Sequence, residues 1–130
     1  ARAGLLQEFA FRAGVTVLMA LAAADGHVHA DEIEVAMRWA DRLADLHDLR
    51  LEASLAEAVS RFARASRPNA ASAISALRSA ARSPNEASLL ARHMRQMIDA
   101  DGVLSVEEVD LFQVLEKAAV RHAGRLKEGM

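Results

Sequence analysis

Apolar residues return every three or four positions along almost the whole chain, which is the period of helices packed on one side. Leu5, Leu6, Phe9, Ala10 and Ala13 hold an i, i+4 face that Val17, Leu18 and Leu21 continue. They predict a first helix over Arg2 to Ala24, with Gly14 the place where it would break. A second helix, about Ala30 to His47, turns Ile33, Met37, Ala40 and Leu43 or Ala44 inward, with Trp39 beside that face. A third, roughly Leu49 to Ala65, buries Leu51, Leu55, Val59 and Phe62. Pro68-Asn69 is a stop and restart, and a short Ala/Ser-rich helix follows over about Ala70 to Arg82 with Ile74 and Leu77 inward. Ser83-Pro84-Asn85-Glu86 reads as a helix start, with Ser at the cap, Pro in the first turn and an acid behind it. That helix carries Leu89, Leu90, Met94, Met97 and Ile98. The last runs from about Val106 to His122, buries Val109, Phe112, Leu115 and Ala119, and is expected to end at Gly124. No Val/Ile/Thr alternation supports a strand. The pattern predicts an all-α bundle of about six or seven helices, folded as one domain over residues 1–130.

Between the helices one phrase occurs twice. Met97-Ile98-Asp99-Ala100-Asp101-Gly102-Val103-Leu104-Ser105-Val106-Glu107-Glu108 reads as a helix end, a tight acidic turn and a new helix start. Gly102 can take the positive φ that ends a helix. Ser105 and Glu108 have the spacing of a capping box, and Leu104 points inward from the turn. A shift of 76 residues superimposes Asp25 on Asp101, Gly26 on Gly102, Val28 on Leu104, Asp31 on Glu107, Glu32 on Glu108 and Ile33 on Val109. The bundle is therefore read as internally duplicated, with repeats at about 14–47 and 86–122. If the two helical hairpins pack with pseudo-symmetry, both acidic turns lie at one end.

Composition narrows the classes. Ala dominates the hydrophobic 52%, and small side chains let helices approach closely. There is no Cys, hence no disulfide and no thiol chemistry, which fits a reducing compartment. The longest apolar run, Gly14 to Ala24, has 11 residues, against about 20 needed to span a bilayer. It lacks a signal-peptide start and reads as a helix buried on most sides. A cytoplasmic location is expected, with membrane association only through a partner or a missing segment. The chain starts at Ala1 and not Met, as a fragment of something longer would.

The turns offer hard oxygen ligands near helix ends, namely Asp25, Glu32, Asp101 and Glu108, with Asp31, Glu107 and Asp99 in reserve. Ca²⁺ takes six to eight oxygens at roughly 2.3–2.6 Å and accepts irregular geometry. One turn supplies too few; two side by side, with carbonyls and water, suffice. Placing Gly102 at position 6 of an EF-hand loop puts Asp101 at 5, Ser105 at 9 and Glu108 at 12. Position 1 then falls on Met97, or on Leu21 in the first repeat, so neither turn is a standard EF-hand. The competing reading is helix capping: acids near a helix N-terminus gain about 0.3–1 kcal/mol from the dipole. In the first repeat His29 replaces the capping Ser, a poorer cap, while the Asp-Gly and Glu positions remain.

Ala24-Asp25-Gly26-x-Val28-x-x-x-Glu32 and Ala100-Asp101-Gly102-x-Leu104-Ser105-x-x-Glu108, on paired helices, resemble the TerB-like (tellurite-resistance) family. The resemblance covers nearly the whole chain, but its specific part is these two motifs. It implies a duplicated all-helical fold whose acidic residues chelate a metal, in a non-enzymatic binding or stress-response module that occurs alone or fused to other domains. Asp25, Glu32, Asp101 and Glu108 match the motif and inherit the metal role by that resemblance. His29 departs from the usual Ser; it weakens the cap or adds a nitrogen ligand favouring a transition metal over Ca²⁺.

Charge is uneven. Between Arg61 and Arg95 seven arginines face one acid, Glu86, for +6, while the remainder carries −8. The Arg-rich middle is either a solvated face or a contact for an anionic surface or an acidic protein partner. Nucleic acid is disfavoured because no aromatics interleave with the arginines. None of the five His forms a His-x-x-x-His pair, and most read as surface residues. Met19, Met37, Met94 and Met97 read as packing. No nucleophile–base pairing or Gly-rich phosphate loop supports an enzyme. Two alternatives to a metal-binding interaction module remain: a purely structural interaction domain without an ion, and a metal-dependent hydrolase.

Overall fold

A computed structural model describes residues 2–24, 26, 28–48, 50–65, 67–100 and 105–128, with the side chains of 2–8 and 127–128 excepted. Six helices and, among the described residues, no strands make the fold all-α: α1 (Arg2–Ala22), α2 (Ala30–Leu46), α3 (Ala53–Ala65), α4 (Ala70–Ala80), α5 (Pro84–Asp99) and α6 (Val106–Glu128). None of them is long and apolar enough to cross a membrane.

The bundle is wrapped around α1, which touches all five other helices. Val17, Leu18, Met19, Leu21 and Ala22 are all fully buried and Ala20 is 1% exposed, so the last turns of α1 are apolar all round, as a helix must be where no face meets water; earlier in the helix Arg12 is exposed. Its most extensive partner is α4, where Ala73 and Ala80 are fully buried and their small side chains permit close approach. The α2–α5 and α5–α6 contacts complete the bundle.

Gly14 does not break α1. A Cβ built there would lie 2.0 Å from the Trp39 ring, so the glycine is the gap through which α2 seats its indole on α1. Trp39 is fully buried and meets Phe11 edge-on at 6.1 Å; it is the centre of the α1–α2 contact, not a residue beside it. Gly124 likewise lies inside α6, which continues to Glu128. The third helix starts at Ala53 and not near Leu49, because the chain leaves α2 through Asp48 at φ 57, a left-handed turn that Asp tolerates. Phe9 and Ile74 follow the apolar period but are 61% and 41% exposed, since neither position is covered by a neighbouring helix. His93 is buried at 4%, an exception to the reading of most histidines as surface residues. The expectations for Leu5, Leu6, Leu49, Gly102 and Leu104 fall outside the described residues or side chains.

Candidate cation site at the acidic pole

α2 and α5 run antiparallel, and both their ends show it. At one end, Asp31, Glu34, Val35 and Arg38 of α2 line an open depression with Gln96, Asp99 and Ala100 of α5. At the other, His47 after α2 sits 3.5 Å from Glu86 in the first turn of α5. The first acidic bend leads into α2 and the second follows α5. The helix ends that flank the two bends are therefore neighbours at one pole of the bundle.

The local chemistry there is unequal. Asp31 and Glu32 lie in the first turn of α2, and Glu107 and Glu108 in the first turn of α6, where the helix dipole favours them. Asp99 is the last residue of α5, the end where a negative charge is unfavourable, and it lines the depression with Asp31 and Glu34, Arg38 being the one base among the described residues there.

Of the four predicted ligands, two are described. Glu32 is buried at 1%, and its Oε1 accepts the His29 backbone N–H at 2.9 Å. Glu108 is also buried at 1%. Its backbone N–H donates to the Ser105 hydroxyl at 3.1 Å, and that hydroxyl lies 3.3 Å from its Oε1. Both glutamates thus close onto their own helix starts, in the capping arrangement expected of Ser105 and Glu108. His29 fills the corresponding role through its backbone amide. Asp25 and Asp101 lie outside the described residues. Among the described residues no three His, Asp or Glu side chains converge as a metal cage.

Two buried ionisable groups escaped the sequence reading, and both lie on α5. Glu86 is 5% exposed; its Oε1 has no hydrogen-bond partner among the described residues, while Oε2 lies near Ser83 and His47. His93 donates from Nδ1 to the Leu89 carbonyl at 2.9 Å. Burial lowers its pKa from the ordinary 6.5, and the positive charges of Arg92, Arg38 and Arg42 lower it further, against the raising effect of the Leu89 bond. The signal was available: the stripe through Leu90, Met94 and Met97, continued back along the helix, passes through Glu86 and His93.

The seven arginines of the basic middle are all exposed. Arg95 is engaged, lying 3.2 Å from Glu116 and over the Phe112 ring at 5.6 Å. Compared with protein-family models, with curated proteins and with solved structures, the chain finds no match in any of the three.

Proposed function

We propose that the chain is a non-enzymatic, TerB-like helical module that binds a divalent cation between its two acidic bends, and that it acts in a cytoplasmic stress response or as a protein-interaction domain. The family reading rests on the two motifs alone. The cation reading is carried by one observation: the start of α2 and the end of α5, the helix ends that flank the two motifs, line a single depression. Asp99, placed against its own helix dipole beside Asp31 and Glu34, adds negative charge where a cation would relieve it. Internal duplication is supported by Glu32 and Glu108, 76 positions apart, each the third residue of its helix and each buried at 1%.

A second reading has its own support. The bonds from Glu32 and Glu108 to their own helix starts are those of caps. Thermal melting separates the two. After chelator treatment, Ca²⁺, Mg²⁺, Mn²⁺ or Zn²⁺ raises the melting temperature only if the ion binds the folded state. At a hundredfold excess over Kd the gain is about 2.7 kcal/mol, on the order of 10 °C for a domain of this size. Asp101→Asn should abolish the shift. Glu108→Gln, which still serves a capping box, should keep the ion-free melting temperature and shrink the shift. If no cation moves the transition, the capping reading stands.

A further inference from the structure

A second concave surface lies between α4 and α6, about two turns or more along α6 from its acidic start. Ile74 and Leu77 of α4, with Val114 and Ala118 of α6, form its apolar part, and Arg78, Arg121 and Arg125 stand around it. Val114, Ala118, Arg121 and Arg125 follow one another at helical spacing, so one face of α6 presents them as a stripe. Ile74 is 41% exposed and Val114 47%, an unusual investment of large apolar side chains in contact with water. Among the described residues no acid lines the groove and none of its three arginines forms an ion pair. His122 is held by the Ala81 carbonyl, which ties the end of α4 to α6 beside the groove.

We propose that this groove docks an acidic amphipathic segment of a partner protein, its apolar side chains seated on Ile74 and Val114 and its carboxylates facing Arg78, Arg121 and Arg125. The three guanidinium groups around the groove select negative charge, and their planar fork suits carboxylates. The apolar residues lie in a concavity between two helices and not on a crest, which favours a peptide held by side-chain anchors over a lipid surface. Among the described residues no Phe, Tyr or Trp lines the groove for base stacking, which disfavours nucleic acid. The inference is independent of the acidic pole and stands whether or not a cation binds there.

The test is a titration of the intact, isotopically labelled protein with a synthetic helical peptide carrying Leu at i, i+3 and i+4 spacing and Glu elsewhere. A counterpart with Lys for every Glu, and phosphatidylserine/phosphatidylcholine vesicles, are the parallel probes. The Glu peptide should shift the amides around Ile74, Val114 and Arg121, and bind more weakly as salt rises. Arg121→Glu and Arg125→Glu, both at exposed positions, should each weaken it about tenfold or more while leaving the helical circular dichroism unchanged. The Lys peptide should not bind. Failure of the Glu peptide to bind, shifts elsewhere, or indifference to Arg121→Glu overturns the proposal. Arg121-dependent binding to the vesicles without binding of the peptide overturns it in favour of a membrane surface.

Discussion

Gly14 and Trp39 share a space that admits one side chain. Helix propensity favours Ala over Gly by about 1 kcal/mol, so on local grounds Gly14→Ala should stabilise α1. The added methyl would sit 2.0–2.7 Å from three atoms of a fully buried indole, and overpacking of that kind costs about 1–3 kcal/mol or more. Packing wins, and chemical denaturation of Gly14→Ala should show a net loss of about 1 kcal/mol or more; a stabilised variant would contradict the geometry. His93 makes the second prediction at this scale. Its folded pKa lies below the ordinary 6.5, chiefly through burial, so the unfolded chain binds the proton more readily. Its contribution is intact above about pH 6.5 and is lost as pH falls through the lower folded value. Stability measured from pH 7.5 down to 5 should decline, and the decline should be shallower in His93→Gln. The role of Gly14 was not legible from the sequence, and that of His93 only by following the apolar stripe of α5. Gly14 looks like a break because its reason, Trp39, stands on another helix, and His93 looks like any polar residue until the stripe of α5 is followed through it.

Helix starts are set by short-range chemistry, and there the sequence was informative. Ser83 accepts the Glu86 backbone N–H at 3.2 Å and Asn69 accepts that of Ser72 at 2.8 Å, both at the predicted positions. Ser83→Ala and Asn69→Ala should each lower stability by about 1 kcal/mol, measurable as a fall in denaturation midpoint at unchanged slope. Helix ends were read less well. Gly26 takes a positive φ of 87 in the turn beyond α1, which already ends at Ala22; Gly14 and Gly124 stay helical because α1 and α6 continue through them. Period identifies a face but not what covers it, which is why Phe9 and Ile74 were assigned to the core and stand exposed.

At the scale of the molecule, the all-α class followed from period and composition, and the central burial of α1 from its unbroken apolar run. The antiparallel pairing of α2 with α5 is a long-range fact, suggested by the repeated phrase but fixed only by packing. It leaves the protein with two surfaces of opposite character: an acidic pole at the start of α2 and the end of α5, and a basic groove between α4 and α6. The cation reading depends on the first. Crystals grown with Mn²⁺ and measured at the manganese absorption edge test it most directly. The account predicts an anomalous peak at that pole, within ligand distance of Asp25 and Asp101. A map without a peak there, in crystals saturated with the ion, would contradict it and favour the capping reading of Glu32 and Glu108.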